Sequence, residues 1–581
     1  MQLGRKCVRR GSKSILAIVY TKGGVGETIS AVLLGAAGHV RGAGVPLDSG
    51  TRGAAIVCGQ AVGRFRTDIS DGRQLSRAGG IRFGFHAADQ EGAIVRKLNT
   101  RSYSWEGHWW LPDIEERHPG VLSYSPADGF VLKLLSEGFE SPYVEVDVPP
   151  IRFTGEGRGA RVLGLRDSIY PAVYGEADGR FVTIFNAMGI QSSRKHGAQA
   201  ASAKSTYNAS AVVEGAHIPS EDSGVIKSAS VSIDNLHRWL GDPEELSVLS
   251  SYSEDPVHQV HLVEVRTGRK LGPKRGATLA CGTAVTISHN WILPDLRWST
   301  NSYESQAQEF AQIEFDPPTP WSLMDVRKHA WEMSSLITLA LDRPCAPHAI
   351  DVVVQDPVKE QWASYLTHRT TGENSEEFVR KYDPSNFTCD EARFEEVVPA
   401  WFAFCRKHGA VLNLFTTLKT GTVDYLETSV FLAAILAEAF HKGVFGRKGA
   451  ITPQARDLAE KIFPEDTNPS SLFKRLVDLY CRAPQAVAHA LIPDIKAWSR
   501  EHVNARNSIS HEAGLGEASP HSAWASAQVT LALVTAHLLV AVGVSDSIIE
   551  QALTESPTFR KATYTAKKYL NTADESNVSA K

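Results

Sequence analysis

The sequence lacks cysteine pairs and an excess of either charge. Its 581 residues include seven cysteines with no C-x-x-C pair, which argues against a disulfide framework or a cysteine-rich zinc site. The 61 basic and 65 acidic side chains give a net charge of −4. A globally basic nucleic-acid coat is therefore excluded, although a local basic site is not.

Long hydrophobic segments are missing as well. The apolar run Ile15–Tyr20 is too short for a signal-peptide core. The longest apolar stretch, Val529–Val544, contains Thr530, Thr535 and His537. It falls short of the roughly 20 residues that span a bilayer, so it predicts a buried helix. We expect a cytoplasmic protein with no membrane segment.

Residues 81–310 have the pattern of an antiparallel β-rich domain. Short apolar runs recur between Gly, Pro, Asp and Ser clusters, and several alternate apolar with polar residues. Ser192–Ser205 is rich in Ser, Ala and Lys and predicts an exposed loop. The predicted strands are Val121–Tyr124, Phe130–Leu135, Val162–Leu165, Phe181–Phe185, Val225–Ile233, Val260–Val265 and Thr278–Ile287.

From Trp321 onward, apolar residues spaced by three or four predict amphipathic helices. Short joins between them indicate a helical bundle, so the predicted fold class is α+β and multidomain. The predicted helices are Trp321–Leu341, Arg393–Lys407, Val423–His441, Pro453–Phe463, Ser471–Ala483, Pro493–His511, Ser522–Val542 and Asp546–Thr554.

The N-terminal segment has the setting of a phosphate-binding loop: a β-branched run, a glycine-rich loop and an apolar helical pattern over Ile29–Ala37. It resembles the start of ParA/MinD-like ATPases, whose loop reads K-G-G-x-G-K-T. The matching residues are Lys22, Gly23, Gly24, Gly26 and Thr28. Glu27 stands where the loop lysine belongs, and a carboxylate has the wrong sign to face phosphates. The resemblance therefore implies an inactive remnant.

A polar motif ends the predicted helix Pro493–His511. Arg506 and His511 have an R-x4-H spacing, and Asn507 follows the arginine. Chance allows such a spacing, and it recurs at Arg343 and His348, where two prolines prevent a regular helix. The motif also has a purely structural interpretation, in which Arg506 pairs with a surface carboxylate and His511 stabilises the helix C terminus.

The late-helix motif resembles the HEPN ribonuclease domain, whose signature is R-x4-6-H in a helical bundle. Leu436–His441 reads LAEAFH, similar to the family pattern A-L-E-x-[FY]-H with its first two positions reversed, which makes Glu438 a supporting candidate. In RNA cleavage the 2′-OH is the nucleophile. His511 can then move protons near neutral pH, and Arg506 can hold phosphate oxygens. Asn507, one turn before His511, can orient either group. This chemistry requires no metal or cofactor.

Helix geometry separates the two principal residues. Positions five apart differ by ~140° around a regular helix, so Arg506 and His511 point different ways unless the helix loosens near its end. The HEPN resemblance implies a composite site across a homodimer, which removes the difficulty. Residues 410–581 hold 17 basic and 17 acidic side chains, a net charge of zero. RNA contact is therefore expected in one cleft.

A second resemblance begins near Trp105. Residues 107–113 (GHWWLPD) and 119–129 (PGVLSYSPADG) resemble the opening of the N-terminal domain of ApeA-like anti-phage proteins. That family joins a β-rich domain to a C-terminal HEPN domain, in the order found here. The tryptophans themselves predict a strand packed under a neighbouring sheet rather than a stacking platform for bases.

These patterns predict four segments: a degenerate phosphate loop at 1–80, a β-rich domain with a helical tail at 81–410, a HEPN bundle at 411–571 and a flexible tail at 572–581. The resemblance implies a metal-independent endoribonuclease of abortive anti-phage defence. The β-rich domain would act as the sensor of this nuclease or would restrain it. RNA, a homodimer or higher homo-oligomer, and a phage-derived trigger are the expected partners. The alternative is a catalytically silent HEPN module that binds RNA or a partner protein.

Overall fold

A computed structural model describes most of the chain from residue 102 to residue 570. The chain divides into two compact units, residues 1–94 with 242–274 and residues 95–241 with 275–581. Shorter described segments, mostly single strands, lie outside the main ranges. The main described ranges are 102–136, 169–196, 201–241, 275–292, 308–356, 358–367, 384–421, 425–446, 451–466, 471–512 and 519–570.

The described strands are numbered β1 to β22 in chain order. They are Ile15–Lys22, Glu27–Leu34, Ala54–Val57, Tyr103–Trp110, His118–Ser125, Gly129–Leu134, Tyr143–Asp147, Arg161–Leu165, Ile169–Ala177, Arg180–His196, Ala201–Ala209, Ala211–Glu214, Ile226–Ile233, Leu246–Tyr252, His261–Thr267, Gly276–Thr278, Ala284–Ile292, Arg297–Trp298, Tyr303–Glu304, Gln308–Asp316, Pro347–Val354 and Gln361–Thr367.

The described helices are numbered α1 to α11 in the same way. They are Leu236–Trp239, Leu323–Leu341, Phe394–Lys419, Leu426–Val444, Pro453–Ile462, Leu472–Arg482, Gln485–Leu491, Ile495–Glu512, Pro520–Ala541, Asp546–Glu555 and Pro557–Tyr569. All eight predicted helices are confirmed within a few residues, except that α3 continues past the predicted end. The prediction missed α7 and α11, and also the single turn α1.

In the first unit, the predicted helix Ile29–Ala37 is wrong. Glu27–Leu34 is strand β2, which pairs antiparallel with β1 and sets Lys22 opposite Glu27. Thr28, Ile29 and Val32 are β-branched, and such side chains favour a strand. A phosphate loop needs Thr28 at the start of a helix, whereas here it lies within a hairpin strand. Gly23, Gly24 and Gly26 lie outside the described residues.

Six antiparallel strands of the second unit form a closed ring. The sheet order β11-β6-β5-β4-β9-β10 returns to β11, because the second half of the long strand β10 pairs with β11. Asn186 has a φ of 53° where β10 changes partners. The loop predicted at Ser192–Ser205 is wrong, since β10 and β11 cover most of it. Small polar residues are compatible with a strand whose backbone groups are paired, and here β10 and β11 pair with each other.

The tryptophan-rich motif supplies the interior of this ring. Trp105 and Trp109 are fully buried there, packed with Leu122, which confirms their structural role. Opposite residues Gly107 and Gly120 let the backbones approach closely: a Cβ on Gly107 would lie 2.2 Å from a carbonyl oxygen, and one on Gly120 would lie 2.7 Å from another. Larger residues there would push the strands apart.

Seven further strands of the same sheet extend it from the ring toward the helices, in the order β12-β22-β21-β13-β20-β17-β16. Helix α2 packs on β13 and β21, and one continuous apolar core runs from these strands through α2 and α3 into the helical region. Helix α3 bends at His408, whose φ is −131°. This bend lies one residue beyond the predicted end of the helix, and the predicted boundary at residue 410 falls inside α3.

The C-terminal helices pack around α9, which contacts α4, α8 and α11. Helix α9 is long and apolar enough to cross a membrane, but 83% of its most apolar window is buried by the rest of the protein. It is therefore a core helix of the bundle, as its sequence predicts.

Candidate active site

Helix α8 carries the R-x4-H motif and is held against α9 along one face. Trp498, His502 and Ala505 are buried at spacings of three and four residues. The Trp498 indole N–H donates to Thr530 Oγ1 at 3.3 Å, and His502 Nδ1 lies 3.3 Å from Ser526 Oγ. These contacts fix the rotation of α8 and thereby decide which residues face outward.

The outward side of α8 holds the predicted catalytic residues. Arg506 is half-buried, and its Nη1 donates to Asn507 Oδ1 at 3.1 Å. Ser510 Oγ donates to the Arg506 carbonyl at 2.8 Å. His511 is exposed in the last turn, and its side chain makes no hydrogen bond or ion pair with the part of the chain that the structure describes.

The geometry joins Asn507 to Arg506 but leaves His511 apart. Helix α8 continues to Glu512, so the loosening that would turn His511 toward Arg506 is absent from this described helix. The ~140° separation therefore persists within one chain.

Glu438 of α4, the supporting candidate, interacts electrostatically with Arg506 of α8. Its Oε1 accepts a hydrogen bond from Lys442 Nζ at 2.5 Å. Burial raises the pKa of Glu438, but the Lys442 hydrogen bond and the charges of Lys442, Arg475 and Arg506 outweigh it. Its pKa is therefore below the usual value, and Glu438 is a carboxylate at neutral pH.

The sequence interpretation missed Arg475 and Lys442. Lys442 follows Glu438 by four residues on one helix, a spacing that predicts an ion pair and could have found it. Arg475 lies at a buried position of α6, and only the packing of α4, α6 and α8 brings it near Glu438. No local sequence signal marks it.

The histidine of the LAEAFH segment is a structural residue. His441 is buried, and its Nε2 lies 2.8 Å from the fully buried Asp478 carboxylate. Asp478 also accepts hydrogen bonds from Arg482 Nε at 2.8 Å and Thr452 Oγ1 at 2.7 Å. Burial raises the pKa of Asp478, but these hydrogen bonds outweigh it and hold the pKa well below its usual value. The network ties α4 and α6 to the start of α5.

The second R-x4-H spacing is confirmed as non-helical. His348 lies in β21, and its Nδ1 is 3.2 Å from Asp234 Oδ1. Arg343 follows the end of α2. In the part of the chain that the structure describes, no group of three or more His, Cys, Asp or Glu side chains could hold a metal ion.

Comparison with known families agrees with this architecture. The model of ApeA N-terminal domain 1 matches residues 104–401, and the Apea-like HEPN model matches residues 431–548. The chain belongs to the ApeA family. Its HEPN match contains Glu438, Arg475, Arg506, Asn507 and His511, so the whole candidate site lies in one domain. HEPN domains are generally ribonucleases, and this one is a nuclease- and defence-type module.

The matches confirm the ApeA resemblance and the α+β fold class. The ApeA N-terminal domain precedes the HEPN domain, as the resemblance implies. They begin at residue 104 and give no support to the ParA-like fragment. Neither a curated protein nor a solved structure matches the chain.

Proposed function

We propose that this ApeA-family protein is a metal-independent endoribonuclease of abortive anti-phage defence. The observation that carries the proposal is the half-buried Arg506, hydrogen-bonded to Asn507 and under the charge of Glu438, on a HEPN helix that also presents an exposed His511. The family resemblance gives the defence role. The β-rich domain would sense a phage-derived trigger or restrain the nuclease in the cytoplasm.

Each side chain has a distinct task in the proposed reaction. His511 takes the proton from the RNA 2′-OH, which attacks the adjacent phosphorus and expels the 5′-oxygen of the next nucleotide. A second protonated group or water delivers a proton to that oxygen. Arg506 stabilises the additional negative charge on the phosphorane, and Asn507 holds the guanidinium through its Oδ1. The products are a 2′,3′-cyclic phosphate and a free 5′-hydroxyl.

A homodimer completes this site. Because Arg506 and His511 diverge by ~140° on one regular helix, the proposal places the motifs of two chains on either side of a shared cleft. RNA then lies between two copies of α8.

The test is RNA cleavage by the purified full chain in EDTA. We expect cyclic-phosphate ends from the parent protein and a loss of at least ~100-fold in Arg506→Ala and His511→Ala, since each removes a group needed in the transition state. Sequencing of RNA ends in expressing bacteria, parent against His511→Ala, locates the cuts. Undiminished cleavage by both variants would overturn the assignment.

One observation favours a different function, a catalytically silent module that binds RNA or a partner protein. Within one chain, His511 does not meet Arg506, so a protein that stays monomeric presents an anion site without its proton carrier. This alternative predicts RNA binding without cleavage and no toxicity on expression.

A further inference from the structure

In the HEPN domain, three packed helices carry three cations that act on one carboxylate. Glu438 and Lys442 lie on α4, Arg475 on α6 and Arg506 on α8. Glu438 interacts electrostatically with all three cations, and its ion pair with Lys442 is 2.5 Å long. We call these four residues the Glu438 cluster.

The Glu438 cluster concentrates positive charge that the domain as a whole lacks. The four residues carry a formal charge of +2, whereas residues 410–581 have equal numbers of basic and acidic side chains. A partly buried surplus of this kind attracts phosphate more strongly than the same charges spread over the surface. A domain net charge of zero therefore does not exclude a local anion site.

Burial assigns different roles to the three cations. Arg475 is only 8% exposed and cannot reach a bound RNA directly. The Lys442 side chain is 44% exposed, and Arg506 is half-buried at the surface of α8. Apolar side chains of α4 and α6 share one core beneath the cluster, which fixes the buried arginine.

We propose that Glu438 positions Arg506, that Arg475 supports Glu438 from α6, and that Lys442 and Arg506 together bind the RNA backbone. Arg475 keeps Glu438 charged and in place, and Glu438 restricts the guanidinium of Arg506 to the cleft side of α8. Lys442 supplies a second, sequence-independent phosphate contact. This inference rests on the proposed ribonuclease function for the catalytic part, but the phosphate contact is separate from cleavage.

The first experiment measures RNA binding by Lys442→Ala at several salt concentrations. We expect weaker binding at low salt and a slope of log K against log salt reduced by about one, because one phosphate contact is lost. Lys567→Ala is the control, since Lys567 is an exposed lysine of α11, outside the cluster. An unchanged slope in Lys442→Ala would remove the lysine contact.

The second experiment separates positioning from folding. Glu438→Gln keeps the size of the side chain and removes its charge; we expect kcat to fall about tenfold or more with little change in KM, because Arg506 is misplaced in the transition state. Arg475→Lys should retain more activity than Arg475→Met. If Arg475 only stabilises the fold, kcat of the folded variants will equal that of the parent, and positioning is excluded.

Failure of this inference is distinguishable from failure of the proposed function. If the parent cuts RNA and His511→Ala does not, while Glu438→Gln and Lys442→Ala match the parent, the function stands and the Glu438 cluster has no role in it. If the parent binds RNA without cutting it, the salt slope of Lys442→Ala still decides whether Lys442 binds the backbone.

Discussion

At the scale of single residues, neighbours decide which groups of the site can exchange protons. Glu438 is held below its usual pKa by the Lys442 hydrogen bond and the charges of Arg475 and Arg506, against the effect of burial. A carboxylate that stays ionised at neutral pH cannot act as a proton donor. The proton that the leaving oxygen takes up in the proposed reaction therefore does not come from Glu438.

Burial sets the ionisation of two histidines in the helical core. Desolvation lowers the pKa of His502 to about 4, and it lowers the pKa of His537 to about 4 despite a 2.9 Å hydrogen bond to the Leu479 carbonyl. Both side chains are therefore neutral in the folded protein at pH 7. The unfolded chain protonates them near their ordinary value of about 6.5.

The first stability prediction follows from this difference. Because the folded pKa values lie below the unfolded ones, their stability contribution is present above pH 6.5 and is lost between pH 6.5 and 4, by up to roughly 3 kcal/mol per histidine. Thermal unfolding of His502→Gln from pH 7.5 to 4 should show a smaller loss than the parent. The exposed His489→Gln is the control. An equal loss in parent and His502→Gln would contradict the assignment.

At the scale of elements, Asp342 joins three helices. It ends α2 in the left-handed conformation, with a φ of 55°, and its side chain is completely buried. The carboxylate pairs with Lys419 at the end of α3, and it accepts hydrogen bonds from Ser556 Oγ at 2.6 Å and the Thr558 N–H at 2.7 Å at the start of α11. One side chain thus links α2 and α3 to the C-terminal helices.

We predict that Asp342→Asn lowers the free energy of unfolding by about 3–5 kcal/mol, because it leaves the buried Lys419 without its counter-charge. Denaturant unfolding measures the loss. Asp457→Asn, at an exposed position of α5, should change stability by less than about 1 kcal/mol. The double variant Asp342→Asn with Lys419→Met should recover part of the loss, since no unpaired charge remains. A double variant less stable than Asp342→Asn would count against the ion pair.

At the scale of the whole molecule, the proposed site is larger than one chain. Contacts of Trp498 and His502 fix α8 against α9, and α8 stays helical to Glu512, so Arg506 and His511 of one chain point different ways. Rigidity of this kind favours a site completed by another copy.

Mixing two inactive variants tests this expectation. If Arg506 of one chain works with His511 of the other, co-expressed Arg506→Ala and His511→Ala chains should regain up to about a quarter of the parent RNA cleavage, since random pairing gives half heterodimers, each with one intact site. Light scattering checks that the active species is a dimer. A monomer that cuts RNA, or a mixture as inactive as either variant, would exclude the composite site.

Local patterns determined much of this protein. Apolar periodicity set the eight predicted helices, and alternation in runs such as Val225–Ile233 placed the strands, because each pattern allows one face of an element to be buried. The R-x4-H spacing and the tryptophan-rich motif identified the family. The same reasoning failed at Ile29–Ala37, where β-branched residues and pairing with β1 outweighed a helical pattern. It also failed at Ser192–Ser205, where β10 and β11 pair with each other although the segment is polar.

Only the tertiary structure decided what surrounds Arg506. Glu438, Arg475 and Arg506 are far apart in sequence, and their proximity depends on how α4, α6 and α8 pack. The closed ring likewise depends on the pairing of β4 with β9 and of β11 with β6, which joins strands far apart in the sequence. A sequence pattern fixes which face of an element is buried, whereas the partner of that face is set by packing across the whole chain.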